Sequence, residues 1–386
     1  MNKKYELPPV DFGSDLVRYA FEVERLRGDL GNGTTPARTL TELHALFRLV
    51  MSVVSARIEG NRTTVYDALS ELPPLGSAAP VESDALREIT NILDGIDFID
   101  ATDPTTPLSH IFVRELHRIT VDGLRREGDS TPGEYRRRDV SIAQSAHTPP
   151  SHVYVHAEMS ELLDFVNRDM PTHQQMIHAA IAHHRFVWIH PFGNGNGRVS
   201  RLFTYAMLRR NGFDSIPGYR AVNPTAVFGN DRDGYYSALE AADDLSPTGT
   251  IGWCEFFVHG LRDDLARLIQ MQDFTFLTER LIDPAVDRLI ASGGATAAEG
   301  SALKLAARSG VVKAGDLEPA FSGSPSQRSL AIRSMLERGL LVRDESGPRF
   351  YRVSLARAPL GPYVIRQLDE LGHLPRILRD DRRSRD

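Results

Sequence analysis

The sequence predicts a mainly α-helical chain with one short β-hairpin in its middle and a small α+β unit near its end. Three observations carry this reading. Apolar residues recur at steps of three and four over much of the 386 residues, the spacing of amphipathic helices. Short strand-like runs stand out around 139–155 and 339–353. Breaker-rich stretches, Asp103-Pro104-Thr105-Thr106-Pro107 and Gly293-Gly294, divide the chain.

Residues 1–107 form the first helical region. Leu40, Leu43, Phe47, Val50, Met51, Val54 and Ile58 define a helix over about 39–60 that should stop at Gly60-Asn61. Glu59 lies at the end where a carboxylate opposes the helix dipole by a few tenths to about 1 kcal/mol, so it is either solvated or compensated by a nearby cation. A loop is expected at Leu72-Pro73-Pro74-Leu75-Gly76. A core follows over 108–290. Within it, Pro132–Asp139 leads into Val140-Ser141-Ile142-Ala143, and Val153-Tyr154-Val155 follows Pro149-Pro150. This reads as two strands around a loop, either a working hairpin or a cover for the core. Ile251, Phe256, Phe257, Leu261 and Leu265 mark a helix, and Leu268 to Leu289 a further long one interrupted near Pro284.

The unit at 295–356 should contain helices at Leu303–Ser309, Ala314–Phe321 and Pro325–Arg338, the last after the turn Ser322-Gly323-Ser324. Strands Gly339–Arg343 and Arg349–Val353 flank Asp344-Glu345-Ser346-Gly347 as a hairpin wing. A C-terminal helix and a mixed-charge tail occupy 357–386.

The chemistry concentrates in His190-Pro191-Phe192-Gly193-Asn194-Gly195-Asn196-Gly197-Arg198-Val199-Ser200-Arg201. Three glycines permit a tight turn with several N–H groups facing one way. Val199, Leu202, Phe203 and Ala206 then open a helix, so an anion would meet unpaired amides and the positive dipole end. Arg198 and Arg201, three residues apart, can reach a polyphosphate bidentately. His190 is placed to act as a general base on an attacking hydroxyl. A Gly-Asn-Gly run can also be only a connecting turn; the histidine and arginines argue for more. His173, His178, His183 and His184 lack metal-ligand spacing and suit packed or hydrogen-bonded roles.

This segment resembles the Fic domain family, whose motif reads His-x-Phe-x-(Asp/Glu)-Gly-Asn-Gly-Arg-x-x-Arg, and the lead-in His183-His184-Arg185-Phe186-Val187-Trp188-Ile189 is similar too. The resemblance implies a Fic-type helical bundle with a β-hairpin flap, and transfer of AMP from ATP to a Ser, Thr or Tyr hydroxyl of a target protein or of the chain itself. It makes His190 the base and gives Gly193, Asn194, Gly195, Asn196, Gly197, Arg198 and Arg201 to the nucleotide. Asn194 stands where the family has a carboxylate holding Mg²⁺ (or Mn²⁺), which implies weaker metal binding. Ser55-Ala56-Arg57-Ile58-Glu59-Gly60 resembles the family's inhibitory motif, which would pair Glu59 with Arg201 in the place of the ATP γ-phosphate. Residues 139–155 look like the flap that clamps a target by strand addition, with Ile142 and Ala143 as contacts. Asp231–Leu239 resembles the border of the adenine pocket, where Tyr235 or Tyr236 could stack, or simply fill core.

Residues 303–353 resemble a winged helix-turn-helix appended to the core. Gln327, Arg328 and Arg333 on its third helix, Pro325–Arg338, could touch DNA; such modules also bind proteins or form homodimers. A net charge of −6 argues against a nucleic-acid footprint over the whole chain. The single cysteine, Cys254, excludes an internal disulfide and suits the cytoplasm. No apolar run approaches the roughly 20 residues that span a bilayer, and the N-terminus lacks a signal-peptide core, so no membrane is expected. Two further classes remain beside an autoinhibited adenylyltransferase: a nucleotide sensor acting as a DNA-binding regulator, and a Fic transferase or hydrolase with another substrate.

Overall fold

In the computed structural model, which describes residues 3–72, 81, 83–143, 145–213, 224–321, 323–357 and 359–382, helices dominate and the described residues form one two-stranded sheet. The loop expected at 72–76 lies outside them after Leu72, as do Ser322 and the last four residues of the tail.

After α1 (Asp15–Asp29), the helix α2 (Ala37–Ile58) forms the spine of the molecule. Leu43, Leu46, Val50, Val53, Val54, Ala56 and Ile58 are all fully buried. By length and composition this 22-residue helix could cross a membrane, which corrects the expectation that no apolar run comes near that length. Yet 72% of the relevant window is buried within the protein, as befits a helix apolar on most sides at the centre of a core. The chain turns out of α2 at Gly60 (φ 98°), a left-handed position that a Cβ would strain. α3 (Val65–Glu71) and α4 (Asp84–Ala101) follow, each capped by a hydroxyl, Thr64 and Ser83.

Next come α5 (His110–Val121), α6 (Val155–Val166), α7 (Gln175–Ile189) and α8 (Asn196–Arg210). α7 and α8 pack side by side through the short connection 190–195, with α5 and α4 laid against α8. α9 (Thr225–Asn230), α10 (Arg232–Ala242) and the long α11 (Pro247–Gln272) close the bundle, and Trp253 of α11 donates to the Ala180 carbonyl at 2.6 Å.

The expected hairpin at 139–155 is not a hairpin. Its described residues carry no strand, and a 3₁₀ turn spans His152–Tyr154. Pro149 and Pro150 cannot donate to a ladder, and side chains take over the fastening. Asp139 accepts from the Ser151 hydroxyl (3.0 Å) and the His152 N–H (2.7 Å), and Arg136 donates to the Arg138 (3.1 Å) and Pro150 carbonyls.

The helix expected from Leu268 to Leu289 is likewise redrawn. Leu268 belongs to α11, and the break falls at Asp273, whose carboxylate accepts from Thr275 N (2.9 Å) and Phe276 N (3.0 Å) to begin α12 (Phe274–Phe276). A π-helical turn, Leu277–Ile282, leads into α13 (Asp283–Ala291), and Pro284 sits in its first turn. Proline has no N–H for the Arg280 carbonyl, which accepts instead from Gln367 Nε2 at 2.9 Å.

α14 (Ala297–Ser309) starts six residues before Leu303 because Thr296 and Glu299 form a capping box. The helix expected at 314–321 contracts to a 3₁₀ turn, Glu318–Ala320, around Pro319. α15 (Pro325–Glu337) precedes β1 (Leu341–Arg343) and β2 (Tyr351–Val353), antiparallel with Val342 opposite Arg352. α16 (Gly361–Glu370) follows. This C-terminal region grips α2 at both ends. Glu42 accepts from Arg352 and from Leu355 N (3.1 Å), while Arg57 donates to the Ile377 carbonyl (3.0 Å).

Candidate active site

His190 ends α7 in the left-handed conformation (φ 50°), unusual for a residue with a Cβ. Arg136 holds it there. Its Nε donates to the His190 carbonyl (2.8 Å) and its N–H to the Pro191 carbonyl (2.9 Å). His190 Nδ1 is buried and makes no hydrogen bond of good geometry among the described residues. Burial lowers the ring to about pKa 4, helped by Arg136 and His147 and opposed by the Val187 carbonyl and Glu59. The imidazole is therefore neutral near pH 7, the form a base requires.

The next turn is built from its own amides. Asn196 accepts from Phe192 N (2.9 Å) and donates to the Phe192 carbonyl (3.0 Å), stapling the loop into the start of α8. Gly195 is left-handed (φ 76°), and its N–H donates to Asn194 Oδ1 at 2.7 Å. The Asn194 N–H donates to Asp129 Oδ2 at 3.0 Å. At Gly193 an added Cβ would meet that same oxygen at 2.9 Å, so glycine is what lets Asp129 approach.

A carboxylate already lies in the anion position at the head of α8. A Cβ on Gly197 would stand 2.1 Å from Glu59 Oε1. Arg201, its side chain 1% exposed, donates to Glu59 Oε1 (2.8 Å), to the Ser55 hydroxyl (2.9 Å) and to the Ser55 carbonyl (2.9 Å). Ser55 and Glu59 thus share one guanidinium. Burial pushes the Glu59 carboxyl up, but the charges of Arg201 and Arg198 outweigh it and hold the group below its ordinary range. Glu59 ends a helix with the cation that the dipole argument demands.

Arg198 is engaged as well. Its Nη1 lies 3.0 Å from Glu88 Oε1, both side chains at most 5% exposed, and its Nη2 donates to the Glu127 carbonyl (2.8 Å). Glu88 also accepts from Asn61 Nδ2 (2.8 Å), two residues beyond Glu59.

The two expected tyrosines part: Tyr235 is buried, while Tyr236 lies beside Glu59 and Arg201. Tyr235 is 2% exposed, hydrogen-bonded to His183 Nε2 (3.0 Å) and packed on Phe228; it is core and cannot stack on a purine from there, because helical spacing turns it inward. Tyr236 is 42% exposed beside the end of α2, with Arg232 5.2 Å over its ring. Ile142 is half-buried and Ala143 exposed, on a segment whose main chain has no ladder partner among the described residues. His183, His184 and His178 each hydrogen-bond inside the bundle. Asn194 Oδ1 already accepts from Gly195, and the described residues contain no cluster of three metal-ligating side chains. The donor set does not fit a divalent cation held by the protein. Sequence reasoning missed Arg136, Asp129 and Glu88, which come from segments far away in the chain.

Residues 107–208 match the family model described as the Fic/DOC family. The chain is 28% identical over 204 residues to a protein adenylyltransferase Fic of Nematostella vectensis, covering 50% of this chain and 43% of that one. It is 32% identical over 139 residues to the protein adenylyltransferase fic-1 of Caenorhabditis elegans, covering 35% and 24%. The chain thus spans less than half the length of these curated relatives. Among solved structures, a Fic family protein from Desulfovibrio desulfuricans superposes with a TM-score of 0.53 at 20% identity, over 90% of this chain and 98% of that one. A Fic domain containing signaling protein from Bacteroides thetaiotaomicron gives 0.52 at 21% identity, over 67% and 97%. These likenesses establish the shared fold.

Proposed function

We propose, for a chain that carries a Fic domain at residues 107–208, that it transfers AMP from ATP to a hydroxyl of a protein and that Glu59 holds this activity off. The observation that carries the reading is the Glu59 carboxylate lying on Arg201 and against Gly197, an anion already seated where a helix N-terminus would receive a phosphate. With Glu59 withdrawn, the amides at the head of α8 and Arg201 would take the polyphosphate. Neutral His190 would accept the proton of the incoming hydroxyl. Its oxygen forms a bond to the α-phosphorus, the bond from that phosphorus to the β-bridging oxygen breaks, and pyrophosphate leaves. Asn194 offers only a neutral amide oxygen that already accepts from Gly195, so Mg²⁺ would enter chiefly on the phosphates of ATP. The unladdered main chain around Ile142 and Ala143 suits an extended target segment laid beside it. The names of the relatives, protein adenylyltransferases, support the reaction class.

The DNA-binding reading has less behind it. Arg328 lies 3.4 Å from Glu318 and Arg333 2.9 Å from Glu337, so two of the three α15 side chains proposed for DNA already face carboxylates.

Incubating the chain, Glu59→Gly and Glu59→Gly/His190→Ala with ATP labelled on the α-phosphate and Mg²⁺ tests the proposal. Label on protein should rise in Glu59→Gly and vanish in the double variant. Equal label in all three would overturn it.

A further inference from the structure

One side chain outside the motif touches both halves of this site. His117 of α5 is fully buried, its ring stacked on Phe192 at 3.8 Å between centroids and 7° between planes. The N–H of Gly133, in the segment Pro132–Asp139 that leads into the flap, donates to His117 Nδ1 at 2.9 Å. A backbone N–H can only donate, so Nδ1 holds a lone pair and the ring proton sits on Nε2. Nε2 faces the Asn194 carbonyl at 3.2 Å, with Asp129 Oδ2 at 3.6 Å. Asp129 takes the N–H of Asn194 and His117 its carbonyl, so both main-chain groups of that residue are fixed.

We infer that His117 is a positioning residue that couples the target-binding flap to the nucleotide turn, through one imidazole that accepts from Gly133 and donates to Asn194. This rests on the transfer reading above and names what keeps its two substrates in register. Arg136 makes a second tie, from the flap base to the His190 and Pro191 carbonyls, but that tie ends before the turn begins. Without His117 the base would stay fixed to the flap while the turn that carries the phosphates drifted from both. A displacement of that kind is costly because transfer needs the hydroxyl, the base and the phosphorus in line.

The two hydrogen bonds can be separated. The amide of a glutamine stands about where Nε2 stands and can donate to Asn194, whereas that of an asparagine stands about where Nδ1 stands and can accept from Gly133. In full-length Glu59→Gly, two readouts are taken for His117→Gln and His117→Asn: hydrogen exchange of segments 131–139 and 193–197, and the ATP KM for label transfer. His117→Gln should keep the ATP KM within about twofold and raise exchange in 131–139 about five- to tenfold, the worth of one hydrogen bond. His117→Asn should do the reverse, protecting 131–139 while exchange in 193–197 and the ATP KM rise by about the same factor. Both variants disturbing both segments equally, or neither disturbing either, overturns the inference. Should a variant not fold, the ring-nitrogen shifts of His117 in the unsubstituted chain decide: an Nε2–H tautomer is expected, and an Nδ1–H tautomer overturns it. If Glu59→Gly transfers no label while the exchange pattern splits as described, the transfer reading falls and the coupling stands.

Discussion

Glu59 reaches Arg201 at 2.8 Å across 142 positions of sequence, and the same oxygen lies where a side chain on Gly197 would have to be. A single carboxylate thus pairs with a guanidinium whose side chain is 1% exposed and lies at the amide end of α8. Glu59→Gly should therefore have two opposite effects. The free protein loses a partner for a buried charge and melts at a lower temperature. ATP, freed of its competitor, binds at least about tenfold tighter, equivalent to ~1.4 kcal/mol, and restores the melting temperature. Calorimetry and thermal melts with and without ATP check both.

His190→Ala in the Glu59→Gly background should cut transfer by roughly 10²–10⁴-fold, the usual worth of a general base. ATP affinity should stay close to that of Glu59→Gly, because in the proposed reaction the imidazole would meet the hydroxyl and not the phosphate tail. Single-turnover labelling beside calorimetry separates the two effects.

Asn194→Asp introduces a carboxylate where the amide now accepts from Gly195. The Mg²⁺ concentration for half-maximal ATP binding should fall about tenfold, the effect of ~1.4 kcal/mol from one added charge. Affinity for ATP without metal should not improve, since Asp129 stands close by. Titrating Mg²⁺ at fixed ATP gives the answer.

Burial lowers His117, His190 and His373 from 6.5 to about 4, and shifts His178, His183 and His184 in the same direction. The folded chain consequently binds fewer protons than the unfolded chain below pH 6.5. Stability is full above that value and declines as pH falls toward 4. Asp264, raised to about 7 by burial, acts in the opposite sense, as do Glu88 and Asp94, which burial also raises, but seven histidines, His110 included, stand against these three carboxyls. Urea midpoints should be lower at pH 5 than at pH 7, and a higher midpoint at pH 5 would contradict this account.

Glu88→Ala removes the carboxylate paired with Arg198 and leaves it the Glu127 carbonyl and the more distant charge of Glu59. Removing one member of such a pair costs about 3–5 kcal/mol, so the urea midpoint should drop sharply. Glu88→Gln keeps one amide oxygen, which can accept from Asn61 or from Arg198 but not from both positions at once, and should lose less than Glu88→Ala.

The residues of the phosphate turn were legible because their chemistry is local: glycines, amides and arginines within twelve positions specify a turn and a helix start on their own. Glu59 was legible only as a helix-end carboxylate, solvated or compensated, since its helix announces its end at Gly60; its pairing with Arg201 came from the resemblance to the inhibitory motif. Asp129, Glu88, Arg136 and His117 were not, because each gains its role only when distant segments meet, and nothing around them in sequence differs from an ordinary polar surface. The flap misled in the other direction. Val140, Ile142, Val153 and Val155 have strand propensity, but Asp139 and Arg136 satisfy the neighbouring main chain before a ladder can form. Tyr235 misled because aromatic spacing alone does not say which helix face turns inward.

The hold of Glu42 by Arg352 and Leu355 makes α2 a rod anchored at its far end. From that anchor to Glu59 runs about 25 Å of helix at 1.5 Å per residue, so a tilt of one degree carries the tip by ~0.5 Å. A hydrogen bond tolerates little more than that. The seating of the β1–β2 hairpin at one end and the Arg57–Ile377 tie two residues from the tip therefore set together how well the latch closes.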